Sequence, residues 1–211
     1  MKIAVDAMGG DYAPEEIVLG AIEAVKAYDY DVVLVGDETK IRQVLTTYGA
    51  KENERLSIVH ASEVIEMGEH PAQAIRRKKD ASIVVAARLV KNGACDAVVA
   101  AGSTGAAVTA ALFELGRIKG IERPCIATPI PSKKGITVLL DSGANSSSKP
   151  KHLVEGAIMG CHYAKYILGI EKPAVGLLNI GEEASKGNEL CQKTYPMLEN
   201  LKTDRKSTRL N

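Results

Sequence analysis

Seven short apolar runs, rich in β-branched residues and separated by amphipathic segments, constrain the fold of this chain more than any other feature. They are Ile3 to Val5, Val32 to Val35, Leu56 to Val59, Ala97 to Ala101, Ile126 to Ile130, Ile136 to Leu140 and Ala174 to Leu178. Nearly continuous apolarity predicts strands buried on both faces. Strands that alternate with helices make a mostly parallel sheet joined by right-handed crossovers. The expected fold class is therefore α/β, a three-layer sandwich. Pro14, followed by Glu15 and Glu16, predicts one helix start, with Ile17, Leu19, Ile22 and Val25 as its buried stripe. Ser103 or Thr104 is placed to cap a second helix, which runs through Val108, Leu112 and Leu115 and ends at Gly116. Pro150 opens a third, carrying Leu153, Ile158 and Tyr163. The polar segment Pro131 to Gly135 predicts a tight turn joining a hairpin rather than a crossover.

Composition narrows the function classes. A chain of 211 residues can bury a substantial core, and with no Trp and one Phe that core is built from Val, Ile, Leu and Ala. The same lack of aromatic platforms, with a formal charge of only +1, counts against a nucleic-acid partner. Cys95, Cys125, Cys161 and Cys191 lie far apart with no C-x-x-C pair, as expected of small packed hydrophobes in a reducing compartment. The first residues already form a strand that runs into Asp6, so no signal peptide is expected. No apolar stretch approaches the length of a membrane span, and the expected location is cytoplasmic.

Four of the apolar runs end in a glycine-bearing turn: Asp6 to Asp11, Gly102 to Gly105, Asp141 to Asn145, and Asn179 to Glu183. A strand that stops at small residues and opens into a helix leaves backbone N–H groups free at the helix start, where they can hold phosphate or another anion. In a parallel sheet such turns gather on one edge, which points to a single shared site. Gly9 and Gly10 allow a sharp bend or close approach, while Asp6 and Asp11 either fix the turn or orient a ligand donor. Ser103 and Thr104 place hydroxyls beside open amides, with Gly102 and Gly105 keeping the approach clear; plain capping is the alternative. The third turn offers Asp141, Gly143 and Asn145, and the fourth offers Asn179, Gly181, Glu182 and Glu183. Lys186, Gly187 and Asn188 follow, where a lysine at a helix start supplies charge for a phosphate or else sits solvated on the surface.

The basic run Arg76, Arg77, Lys78 and Lys79 is the strongest local charge feature, either a solvated helix face or a dock for an acidic protein partner. There is no G-x-G-x-x-G, no P-loop and no G-x-S-x-G elbow, and the four histidines lack metal-ligand spacing. His60 ends a strand and could reach the turn edge, whereas His70, His152 and His162 read as helix-start or surface residues.

Taken in order, V-D-A-M-G-G-D at the N-terminus, R-R-K-K at 76–79, A-G-S-T-G-A at 101–106 and G-R-I-K-G-I-x-R-P at 116–124 resemble the bacterial phosphate acyltransferases of phospholipid synthesis. L-L-D-S-G-A-N at 139–145 and L-L-N-I-G-E-E-x-x-K-G-N at 177–188 extend the resemblance to about Leu201. It implies a fold like that of the isocitrate and isopropylmalate dehydrogenases and the phosphotransacetylases, and an enzyme that makes acyl phosphate from acyl-[acyl-carrier protein] and inorganic phosphate. It also implies a homodimer, no cofactor or metal, a loose seat on the membrane surface, and delivery of the acyl phosphate to a membrane glycerol-3-phosphate acyltransferase. Chains of that family continue for well over a hundred residues more, so residues 1–201 are expected to form part of a domain, with 202–211 a non-native or disordered tail. Phosphate is itself an oxygen nucleophile, and the missing triad fits. Ser103 and Thr104 are the candidates for phosphate or oxyanion contact, with Lys186 and Asn188 as charge and hydrogen-bond donors and the carboxylates shaping the loops. Two rivals remain. A metal- and nicotinamide-dependent hydroxyacid dehydrogenase would share the fold but needs a carboxylate cluster, and a non-catalytic carrier- or anion-binding module would bind without turnover.

Overall fold

The computed structural model describes residues 1–201 apart from Lys134, Ser146, Glu182, Ala184 and Ser185, so the expected tail at 202–211 lies outside the described residues. The chain divides into two compact units, one ending at Gly116 and the other starting at Arg117.

In the first unit, β1 (Lys2–Asp6), β2 (Asp31–Gly36), β3 (Leu56–His60) and β4 (Ala97–Ala100) form a wholly parallel sheet in the order β3-β2-β1-β4. Alternation along β2 builds both cores. Val32 and Leu34 pack with Val18 and Ile22 of α1 (Glu15–Ala27) and with Ile41 and Leu45 of α2 (Glu38–Thr47). Val33 and Val35 face the other way, onto Val85 and Ala86 of α4 (Ser82–Lys91). A third cluster joins Ala74 and Ile75 of α3 (Pro71–Arg77), Ile83 and Val84 of α4, and Ala106 and Ala110 of α5 (Thr104–Glu114). This is the expected helix–sheet–helix layering.

Two stripes are re-phased. The buried side of α1 is Val18, Ala21 and Ile22, with Ile17 and Leu19 only half-buried. That of α5 is Ala106 and Ala110, while Leu115 is exposed. Small residues face inward on α5 because α3 and α4 lie against it, and alanines permit that close approach.

The second unit contains the antiparallel hairpin β5 (Thr128–Ser132) and β6 (Gly135–Leu139), then α6 (Pro150–Tyr166) and α7 (Glu189–Glu199). The hairpin is as expected, although its first strand begins two residues later than the apolar run. Residues 174–178 form no strand among the described residues. On α6 the buried positions are His152, Glu155, Gly156 and Ala164 rather than Leu153, Ile158 and Tyr163.

Candidate active site

The sheet order decides where a ligand could bind in the first unit. From β1 the chain leaves toward α1 and α2, whose cores lie on one face of the sheet. From β4 it leaves toward α5, which packs with α3 and α4 on the other face. The strands are neighbours, with Asp6 opposite Ala100, so their two following turns open where adjacent connections diverge. That crevice beyond the carboxyl ends is the binding position of open parallel sheets.

The turns touch through glycine. A Cβ on Gly102 would stand 2.9 Å from the Cα of Gly9, and one on Gly9 would stand 2.6 Å from Asp6 Oδ2 and 3.2 Å from the Cα of Gly102. Gly10 adopts φ +124°, which only glycine takes without strain. A Cβ on Gly105 would lie 2.8 Å from Pro71 Cγ. The space left by Gly102 and Gly105, expected to keep a ligand's approach clear, is thus filled by the protein's own chain. Its effect is to press the two turns together.

Asp6 anchors the stack. It is 5 % exposed, and its Oδ1 accepts the Met8 N–H at 3.2 Å. Burial raises its pKa above the ordinary aspartate value, and hydrogen bonding from Ser82, Met8 and Gly9 offsets part of that rise. Asp11 is exposed. Ser103 is the N-cap of α5, its Oγ accepting the Ala106 N–H at 3.3 Å. Capping uses an oxygen lone pair and leaves the hydroxyl proton free to donate outward. Among the described residues, the N–H groups of Gly10, Ser103, Thr104 and Gly105 find no acceptor. They form a cluster of free donors at a helix start, suited to an anion.

The third turn is self-contained. Asp141 Oδ1 accepts the N–H groups of Ile126 at 2.8 Å and Ala144 at 3.2 Å, and Oδ2 accepts the Asn145 N–H at 2.8 Å and Nδ2 at 2.9 Å. Burial pushes the pKa of Asp141 up, but these hydrogen bonds outweigh it and leave the pKa below the ordinary value. Asn145 Nδ2 also donates to the Pro124 carbonyl, and Gly143 takes φ +114°. Both polar side chains are used in holding the loop.

In the fourth turn Asn179 does the same work. Its Nδ2 donates to the Lys186 carbonyl at 3.0 Å and its Oδ1 accepts the Ile180 N–H at 2.9 Å. Gly187 (φ +89°) leaves no room for a Cβ beside that side chain. Lys186 packs its stem over Gly181 and forms no ion pair among the described residues. It stands before, not within, α7, whose N-cap is Asn188; Asn188 Oδ1 accepts the Cys191 N–H at 3.0 Å and leaves the amide NH2 free to donate. Glu183 O accepts the Lys186 N–H at 2.9 Å. Glu182 and Ser185 lie outside the described residues.

The basic run does not form one face. Lys78 turns inward, with Nζ donating to the Val64 carbonyl at 2.6 Å and to Glu69 at 2.5 Å, while Arg76, Arg77 and Lys79 are exposed. His60 accepts the Glu38 N–H, and His152, read as a helix-start or surface residue, occupies the first turn of α6 but is buried against Glu122. Pro71, which the sequence reading passed over, is the residue it missed beside the second turn; an H-P pair at a helix start, close in sequence to the basic run, was its only signal.

Residues 1–206 match the FA_synthesis family, described as "Fatty acid synthesis protein". A phosphate acyltransferase of Desulfitobacterium hafniense (strain Y51) is 58 % identical over 199 residues, covering 94 % of this chain and 59 % of the relative. One from Pelotomaculum thermopropionicum is 57 % identical over 199 residues, covering 94 % of this chain and 58 % of the relative. The chain therefore spans less than two thirds of the length of these relatives. Among solved structures, the EutD phosphotransacetylase from Staphylococcus aureus superposes with a TM-score of 0.68 at 20 % identity, covering 99 % of this chain and 67 % of that one. A branched-chain phosphotransacylase from Enterococcus faecalis V583 gives 0.60 at 15 % identity, covering 100 % and 68 %. At these identities the structures show a shared α/β fold, and the sequence match shows that the chain belongs to the FA_synthesis family, whose members at 50–58 % identity to it are phosphate acyltransferases.

Proposed function

We propose that this chain carries the phosphate-binding machinery of an acyl-carrier-protein:phosphate acyltransferase acting in phospholipid synthesis. One observation carries the reading: the turns after β1 and β4 are locked together at the point where the sheet's connections diverge, and they present unpaired N–H groups at the start of α5. A phosphate oxygen attacks the thioester carbonyl carbon, the C–S bond breaks, and the carrier thiolate leaves and takes up a proton. The chemistry needs orientation and oxyanion stabilisation rather than a protein nucleophile. Ser103, Thr104 and the neighbouring amides contact phosphate or the oxyanion. Lys186 supplies positive charge and Asn188 a free amide donor. Asp6, Gly9, Gly10, Gly102 and Gly105 hold the first two turns in shape, as Asp141, Gly143, Asn145, Asn179, Gly181 and Glu183 do the others, with Asp11 facing solvent.

Arg76, Arg77 and Lys79 attract the acidic carrier, with Lys78 fixing the loop behind them. In this reading the enzyme works as a homodimer in the cytoplasm, at the membrane surface, and hands acyl phosphate to a membrane glycerol-3-phosphate acyltransferase. Among the described residues no helix is long and apolar enough to cross a membrane.

The test joins this chain to the remaining segment of the Desulfitobacterium hafniense relative and follows phosphate-dependent release of carrier thiol. Lys186→Ala is expected to lower kcat/KM by roughly 10²-fold or more, the scale seen when one charge-stabilising donor is removed. Ser103→Ala is expected to lower it less, since the amides remain. Unchanged phosphate dependence in both variants removes the assignment.

A further inference from the structure

The chain's only phenylalanine is placed where a core would not put it. Phe113, near the end of α5, is 45 % exposed, and the Arg76 guanidinium lies over its ring at 5.7 Å from the centroid. Ala74 and Ile75 of α3 pack on Ala106 and Ala110 of α5, so the two helices lie side by side as one body. Pro71 meets Gly105 near the start of both, and Arg76 meets Phe113 near the end of both, so the helices run parallel.

The carboxylates nearby are already engaged: Glu114 binds Arg88 and Lys91, and Glu69 binds Lys78. Arg76, Arg77 and Lys79 form no ion pair among the described residues. A surface aromatic held under an arginine, edged by unpaired cations, has the composition of an interface centre with a charged rim.

Resting on the acyl-transfer reading above, we propose that Phe113 is the apolar anchor of the carrier-protein dock, with Arg76, Arg77 and Lys79 as its basic rim and Lys78 excluded from it. Charge complementarity selects the occupant, an acidic helix of the acyl carrier. A lipid surface fits less well, because α3 has seven residues and one oriented ring offers little area for insertion. Placement supports the same choice. From Phe113 back to Thr104 is nine residues of α5, about 14 Å along the helix axis. A carrier docked at one end of α5 thus has the free amides at the other end within reach of a flexible thiol arm.

The experiment uses the full 211-residue chain and holo acyl carrier protein without an acyl group, with fluorescence anisotropy of labelled carrier as readout. Phe113→Ser is expected to weaken binding about 10-fold, as loss of an interface anchor does. Arg76→Glu with Arg77→Glu is expected to weaken it by more, about 30-fold at low salt, and to flatten the salt dependence. Lys40→Glu, a basic residue on α2, is the control and is expected to stay within twofold. The docking proposal is overturned if Phe113→Ser binds like the parent, if the control loses as much, if the parent does not bind carrier, or if the same residues instead govern binding to phosphatidylglycerol vesicles. In the joined full-length protein, normal carrier use by Phe113→Ser together with loss of phosphate dependence in Lys186→Ala ends the docking inference and keeps the reaction. Lost carrier binding in Phe113→Ser, with Lys186→Ala and Ser103→Ala fully active, keeps the docking inference and removes the assignment of phosphate contacts to Lys186 and Ser103.

Discussion

The two units hold their glycine turns by different means. Among the described residues, every buried hydrophobic side chain except Ala164 lies at or before position 110, and the first two turns are wedged over that packed interior by backbone-to-backbone contact at Gly9 and Gly102. In the second unit the turn at 141–145 is held by Asp141, which accepts four hydrogen bonds, and Asn179 ties Ile180 to Lys186 with two. Close packing is rigid and intolerant of added volume, and here it responds to pH only through the buried Asp6 beneath it. Hydrogen bonding to one carboxylate tolerates volume better but depends on that group's ionisation.

The largest effect should come from breaking the packed side. Gly102→Ala places a methyl against the Gly9 backbone, which has no flexible end to yield, and the expected loss is about 2–3 kcal/mol of stability in urea unfolding. If Gly102→Ala unfolds like the parent, the wedge described here is not what holds the turns.

A smaller loss is expected from Asp141→Ala, about 1–3 kcal/mol, because the N–H groups of Ile126, Ala144 and Asn145 lose their acceptor. Hydrogen exchange should localise the damage to residues 125–126 and 141–145 and spare the first unit. Uniform loss across both units would erase the contrast.

The smallest effect is one of sign. The folded pKa of Asp141 is lowered, so its contribution is complete above the ordinary aspartate value and is lost as pH falls through the folded value. Asp6 is raised, so its contribution is complete below the ordinary value and declines as pH rises from there through the folded value. Acidification should therefore loosen the Asp141 turn while relieving the Asp6 stack. Asp6→Asn, which keeps an acceptor for Met8, should flatten the pH dependence of the first unit, read from exchange rates of residues 7–10 between pH 3 and 7. Parallel responses in the two turns contradict the assignment.

Features set by local chemistry were legible in the sequence. The four strands of the first sheet, the helix starts at Glu15 and Pro150, the Ser103 cap, the stop at Gly116 and the hairpin after Pro131 each follow from residue type and spacing. What depends on a neighbour was not. The run at 174–178 has the composition of a strand, but a strand needs a continuous ladder, and this segment makes only isolated bridges at Val175 and Leu178. The inward faces of α1 and α5 went to smaller residues than expected because the elements against them lie close, which no single segment reveals. At the candidate site the glycines were visible, but that their missing Cβ atoms admit another stretch of backbone rather than a ligand required coordinates. Lys78 shows the same limit: four adjacent cations look like one patch until one is seen to turn inward.

The pairing of Asp6 with Ala100 also bears on how the molecule comes into being. The loop at residues 6–11 leaves the ribosome well before the backbone it rests against at Gly102, which is synthesised more than ninety residues later. Joining of the two turns is thus a late, long-range event in folding, and nascent chains shorter than that contact should show strands β1 to β3 without the closed pair of turns.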